Sequence, residues 1–350
     1  MLETYADWPL TTQLAVISGF VHSEIGASAD LRMDKVGLSR QTLRSAPRLR
    51  HAMARRRTTA RYNSMRNGYS RTAEVMAALR ALEQFQPASR RIICDPYAGK
   101  FLIRPSFKLL AQAGWLANPT TRAVGVWAPG ALEFLTIRAR LSDEIAVDMA
   151  ANGLEQIALL GAGFDTMSLR IGGALRDVTI FEVDHPATQA VKREVMGRIG
   201  APENLRFVAV DFEHDDFVGK LREAGFAHDR HSLVVWMGVT YYLTAQAMTR
   251  ALSQIHTLGG AGTRFVFDYM LKEVIKGASR NRNALRKARI AAKLGEPWLF
   301  GLDPSTVGDY LAAFNFKLLK DYDAEELRAK YCPERATPMN YVRIVVCDRV

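Results

Sequence analysis

Ile157-Ala-Leu-Leu-Gly-Ala-Gly163 is the stretch on which the fold of this chain turns. A short apolar run ends in two glycines around one alanine, and a segment able to start a helix follows. Four comparable runs come later. Val178-Thr-Ile-Phe-Glu-Val183 ends at Asp184, and Leu205-Arg-Phe-Val-Ala-Val210 ends at Asp211. Ser232-Leu-Val-Val-Trp236 is the fourth run, and Thr263-Arg-Phe-Val-Phe267 ends at Asp268-Tyr269. Segments of helical length separate them: Pro186–Arg198, Asp215–Ala224 and Ala245–Thr257. Strands alternating with helices build βαβ units, and near-continuous apolar runs suit strands buried on both faces. The expected fold is α/β, a doubly wound, mostly parallel Rossmann-like sheet with helices on both faces. Such a sheet binds its ligand beyond the carboxyl ends of its strands. Gly161–Gly163, Asp184, Asp211 and Asp268 all fall on that edge.

The chemistry of that edge narrows the ligand. Gly161 and Gly163 let the backbone approach a ligand closely, because no Cβ intervenes. Asp184 follows Gly163 by 21 residues, the distance at which an acid hydrogen-bonds a ribose diol in nucleotide-binding βαβ units. Glu182 shares its strand parity and is the alternative partner. Asp165 reads equally as a cap for the helix that follows. A dinucleotide fingerprint wants a third small residue where this chain has Thr166. With two acids and no basic phosphate anchor, the pattern favours a cationic sulfonium ligand over NAD. Asp211 is placed to accept from an adenine amino group. No metal-ligand spacing and no Gly-x-Ser-x-Gly nucleophile turn is present.

These residues resemble the leucine carboxyl methyltransferase family, a class I S-adenosylmethionine-dependent group that includes polyketide-associated O-methyltransferases. The likeness rests on Leu160-Gly-Ala-Gly-Phe-Asp-Thr166 with Leu169-Arg170, Phe181-Glu-Val-Asp-His-Pro186 with Lys192, and Val210-Asp-Phe212. Upstream, Thr72-Ala-Glu74, Arg80-Ala-Leu-Glu83, Asp95-Pro-Tyr-Ala98 and Arg138-Ala-Arg140 with Asp143 also fit. Downstream, Gly238-Val-Thr-Tyr-Tyr-Leu243 and Gly295-Glu-Pro-Trp-Leu-Phe-Gly301 do so. The resemblance covers Thr72 to Val350. It implies a carboxylate-binding arginine at Arg138, with Arg140 the near alternative. It further implies backbone contact to the methionine part of S-adenosyl-L-methionine at Gly161, within the Gly161–Gly163 turn, and a ribose contact at Asp184. Asp211 and Phe212 are implied at the adenine end. One departure stands out: the family often carries Glu before the glycine matched to Gly238, where this chain has Met237.

Composition and charge bound the rest. The 350 residues are 48% apolar, 24% charged and 9% aromatic, which excludes a collagen-like, low-complexity or wholly disordered chain. No apolar run approaches the length of a membrane-spanning helix. Leu10–Val21 is short and follows Glu3 and Asp7, where a secretory signal needs positive charge. Three widely spaced cysteines, Cys94, Cys332 and Cys347, make no disulfide framework, and a cytoplasmic setting is expected. The net charge of +11 is local. Twelve Lys/Arg and one acid lie between Arg32 and Arg71, so the remainder is neutral and offers a phosphate backbone no basic excess. The expected organisation is a basic N-terminal extension over residues 1–71, a helical cap over 72–152, and the S-adenosylmethionine-binding domain over 153–350. A lid is expected near 271–300, where Leu271–Leu294 reads as one basic amphipathic helix. Nothing in the sequence specifies an oligomeric state.

The function expected is an S-adenosylmethionine-dependent O-methyltransferase acting on a carboxylate or hydroxyl of a small molecule of secondary metabolism. Protein C-terminal carboxyl methylation, the activity that names the family, is the alternative. A non-catalytic adenosyl-ligand-binding protein is another, motivated by Met237. Nucleic-acid methylation through the basic arm ranks third among the enzymatic readings. An ionised carboxylate acceptor needs no base, whereas a hydroxyl gains from one. Asp268 and His185 are the candidates for that role, and neither is specified by a motif.

Overall fold

The five apolar runs become five parallel strands: β1 (Gln156–Leu160), β2 (Thr179–Asp184), β3 (Leu205–Ala209), β4 (Ser232–Trp236) and β5 (Arg264–Met270). The computed structural model describes residues 68–112, 114–212, 214–293 and 297–350. The extension expected over residues 1–71 therefore lies, up to residue 67, outside the described residues. Two further strands, β6 (Phe316–Tyr322) and β7 (Val342–Arg349), complete a seven-stranded sheet of order β3-β2-β1-β4-β5-β7-β6. β7 runs antiparallel between β5 and β6.

Alternation along the strands divides the core in two. Ile157 and Leu159 pack with Ile180, Leu233 and Val235 on one face of the sheet. Ala158 and Leu160 pack with Phe181, Val183 and Val234 on the other. Successive side chains of a strand point to opposite faces, so both layers must be covered. β1 and β4 are buried at every position, as central strands should be. β3, at the edge, leaves Arg206 and Ala209 exposed.

Before the sheet come α1 (Arg71–Glu83), α2 (Pro105–Gln112), α3 (Gly114–Trp127) and α4 (Ala131–Ala151). The Ser70 hydroxyl caps α1 by accepting from the Ala73 N–H. Ala77, Ala81, Phe134 and Ile137 bury into the same apolar layer as Ile157 and Leu159, so these helices share the core of the sheet. A smaller cluster of Leu79, Leu82, Leu110, Val124 and Leu132 joins the helices to one another.

The remaining helices are α5 (Met167–Arg170), α6 (Pro186–Ile199), α7 (Phe217–Glu223), α8 (Ala245–Ile255), α9 (Lys272–Ile275), α10 (Arg282–Lys293), α11 (Val307–Ala312) and α12 (Ala324–Tyr331). The single basic helix expected over 271–294 is thus two. Gly277 turns the chain at φ 71°, the Ser279 hydroxyl donates to Glu273, and the Asn281 side chain accepts from Ala284 N–H to start α10. The fifth strand also runs three residues past Phe267, because pairing with β7 carries it to Met270 opposite Val342. Among the described residues no helix is long and apolar enough to cross a membrane.

Candidate functional site

β1 ends at Leu160, and the next residues turn back on themselves. Gly161 has φ 67° and Gly163 φ 50°, left-handed values that cost a side-chain-bearing residue. A Cβ on Gly161 would stand 2.8 Å from Val239 Cγ2, and one on Gly163 would stand 3.1 Å from Ala73 Cβ. The turn is therefore closed in by the loop after β4 on one side and by α1 on the other. It is held to β2 through Asp184. The Gly163 N–H donates to Asp184 Oδ2 and the His185 N–H donates to Oδ1 at 2.7 Å. Burial pushes the Asp184 carboxyl up, and those two N–H groups oppose it. Each carboxylate oxygen keeps a second lone pair, which leaves acceptor capacity for a ligand hydroxyl.

Glu182, the alternative at the same parity, is engaged elsewhere. It is 1% exposed, lies 2.6 Å from Lys192 Nζ, and accepts from the Ser168 hydroxyl. Asp165 accepts the Met167 N–H and lies 3.3 Å from Arg170; it stands one residue before Thr166, the N-cap of α5, and so braces the helix start rather than capping it. Beyond β3, the Val210 N–H donates to the Asp184 carbonyl, so Asp211 follows directly beside the end of β2. Asp211 Oδ2 sits 2.9 Å from His214 Nδ1. Phe212 is an exposed ring, 37% accessible, packed at 5.7 Å on Phe217.

Arg138 comes to the same edge from α4. Its Nη1 lies 2.9 Å from Asp268 Oδ2, and its guanidinium packs against Gly238. Asp268 Oδ1 accepts the Gly238 N–H at 2.7 Å. Burial would lower the Arg138 pKa, but Asp268 and then Tyr241 outweigh it and raise it. Arg140, two residues on and so about 200° around the helix, faces away. It pairs with Glu144 at 2.9 Å and donates to the Ile92 carbonyl. Met237, in the place of the family's glutamate, packs against the apolar core.

Behind the glycine turn lies a charged network whose members stood in the quoted motifs without a role. Asp95 Oδ2 accepts from Arg80 at 2.9 Å, from the Thr166 hydroxyl at 2.7 Å, and from Arg170 at 3.4 Å. Arg80 also donates to the Phe164 carbonyl, and Arg170 grips both oxygens of Asp143 at 2.8 Å. Burial would raise the Asp95 carboxyl, but Arg80 and Arg170 hold it below its usual range. The network fixes residues 164–170 from below. No periodicity announces it, since its members come from four segments far apart in the chain.

The arrangement suits an adenosyl amino acid. A turn with no room for Cβ atoms, a carboxylate at the end of β2 and a guanidinium beside Gly238 in the loop after β4 are groups of the kind such a ligand needs. The strand order with this cradle defines the class I S-adenosylmethionine-dependent methyltransferases, and the protein is one of them. The sequence profile of the leucine carboxyl methyltransferase family matches residues 73–256, and the chain belongs to that family. A Mycolicibacterium smegmatis relative named "Putative S-adenosyl-L-methionine-dependent methyltransferase" is 30% identical over 253 residues, 71% of this chain and 83% of the relative. The fold is similar to that of a "putative methyltransferase" from Thermobifida fusca, with TM-score 0.50 and 15% identity. That likeness covers 77% of this chain and 97% of the other. A DUF574 family protein from Streptomyces avermitilis gives TM-score 0.51 at 10% identity, covering 78% and 97%.

Proposed function

We propose that the protein transfers a methyl group from S-adenosyl-L-methionine to an oxygen of a small molecule, a carboxylate or an acidic hydroxyl. In this reading Arg138 holds the carboxylate of the methionine part, and Gly161 and Gly163 contact its backbone-like portion. Asp184 accepts from the ribose hydroxyls, while Asp211 and Phe212 hold the adenine.

The observation that carries the choice of acceptor is the state of the two candidate bases. Asp268 is fully buried and binds Arg138 and the Gly238 N–H with its two oxygens. His185 Nδ1 accepts the Ala187 N–H at the start of α6, so the neutral ring carries its proton on Nε2. An acceptor that is already an anion needs neither group. The bound sulfonium supplies an activated methyl, and the protein's work is to align the acceptor and exclude water. The acceptor oxygen's electron pair forms the C–O bond as the C–S bond breaks, and that bond's pair leaves with sulfur.

The test is the partition of a radiolabelled methyl group after incubation of the full-length protein with a cell extract. Label in extractable small molecules supports the proposal, and mild alkaline treatment tells the two acceptors apart, since a carboxyl ester loses the label and the ether of an acidic hydroxyl keeps it. Label retained in protein favours C-terminal carboxyl methylation instead, and no transfer at all favours a binding protein.

A further inference from the structure

A cleft of about 210 Å3 lies between Asn281 with the first turns of α10, Pro129 and the 337–341 segment that leads into β7. Lys287 reaches into it. Its Nζ is 3.0 Å from the Tyr341 hydroxyl and 5.5 Å from the centre of that ring. The lining includes no acidic residue, and among the described residues Lys287 has no carboxylate partner. Burial, with Arg286 adding to it, pushes the Lys287 ammonium down to about 8. A half-buried cation with no counter-charge among the described residues is a group prepared for an anion that arrives from outside.

The cleft is joined to the cradle by an aromatic wall. Tyr341 stacks on Trp298 at 6.1 Å, and Trp298 meets Tyr241 edge-on at 6.2 Å. Tyr241 is in turn a hydrogen-bond partner of Arg138. The wall lies on the β4–β5–β7 side of the sheet, opposite to Asp184 and Asp211 at the ends of β2 and β3. An adenosyl ligand running from Asp211 to Arg138 therefore leaves this side free for the acceptor. Two ring-to-ring steps separate Lys287's partner Tyr341 from Tyr241, so a group held by Lys287 is not the oxygen that receives the methyl.

We propose that this cleft is the anion pocket of the acceptor site, and that Lys287 is a specificity-determining residue. The acceptor it selects is a planar, ring-bearing acid that carries a reactive oxygen near Tyr241 and a second anionic group on Lys287. This rests on the small-molecule reading above and names the class of molecule.

The test is calorimetric binding of planar aromatic acids with one, two or three rings, 2,6-naphthalenedicarboxylate among them, to the full-length protein saturated with S-adenosylhomocysteine. Neutral methyl esters of the same acids serve as comparison. At least one acid should bind, and Lys287→Met should weaken it by about tenfold or more while leaving its ester unaffected. Lys287→Arg should retain the binding, and S-adenosylhomocysteine should bind all three proteins alike. Equal binding of an acid to wild type and Lys287→Met overturns the proposal, as does binding of no member of the series. If S-adenosylhomocysteine itself does not bind the wild type, the cofactor reading fails, which is a different result from an indifferent Lys287.

Discussion

Arg138 and Asp268 meet 2.9 Å apart across the edge of the sheet, one from the middle of α4 and one from β5, 130 residues later. The carboxylate is fully buried and the guanidinium nearly so, at 12% side-chain exposure. The pair has a structural duty, to hold the loop after β4 through the Gly238 N–H. It leaves most of the five guanidinium N–H donors for a ligand carboxylate. In the proposed reading, structural and binding roles therefore overlap in Arg138.

They separate in a pair of variants. Arg138→Leu strands a buried carboxylate, and such losses cost about 3–5 kcal/mol. Replacing Asp268 by Asn in the same chain removes the stranded charge and should recover much of that stability. It should not recover affinity for S-adenosylhomocysteine, which needs the guanidinium itself. Urea unfolding and calorimetry on both variants decide this. Affinity restored in the double variant would reduce Arg138 to a packing residue.

The glycine turn gives a second prediction. Gly161→Ala places a Cβ 2.8 Å from Val239 at a left-handed φ, and both effects oppose folding. A loss of about 1–3 kcal/mol is expected from the backbone conformation and the contact together. Stabilisation by S-adenosylhomocysteine in thermal unfolding should shrink as well. Gly173→Ala is the control, since a Cβ there meets nothing within 4 Å. It should leave both quantities within error of wild type.

Asp184 and Glu182 lie two residues apart on β2 and are expected to fail differently. Asp184→Asn keeps the shape but offers one acceptor oxygen in place of two, and adenosyl-ligand affinity should fall by about tenfold or more. Glu182→Gln leaves Lys192, 1% exposed, without its counter-charge. It should lower the unfolding midpoint while the folded fraction binds ligand normally. Equal affinity losses in both would mean that Asp184 acts only by holding the turn.

The sequence carried the βαβ core because its strands are near-continuous apolar runs closed by Gly or Asp, as at Leu160-Gly161 and Val183-Asp184. It also placed the acids on one edge, since strand polarity in a parallel sheet dictates that. β6 escaped notice because its alternation is broken: Phe-Lys-Leu-Leu-Lys-Asp-Tyr carries a register shift between Leu318 and Lys320. β7 reads as an apolar run, but its antiparallel partner β5 lies 72 residues upstream, between Met270 and Val342. The break after α9 was signalled by Gly277 and by Ser279 with Asn281, which the charge periodicity of the segment obscured. Arg138 and Arg140 could not be told apart by type. Only their opposite faces on α4, one toward Asp268 and one toward Glu144, distinguish them.

The acceptor cleft should also report pH. Of its lining residues only Lys287 and Tyr341 titrate, and burial holds the Tyr341 phenol far above the neutral range. Arg286, on the same helix, is the charged neighbour that adds to the lowering of Lys287. Lys287, lowered to about 8, is therefore the group that changes between pH 7 and 9. Below that value it is an ammonium and attracts an anion; above it the charge is lost. Binding of an aromatic acid should weaken as pH rises through about 8, while binding of its neutral ester stays level. In Lys287→Arg the same titration should be flat, because a guanidinium keeps its proton over the whole interval. Calorimetry at pH 7 and pH 9 on the two proteins is sufficient, and a wild-type affinity that does not fall would remove Lys287 from the anion pocket.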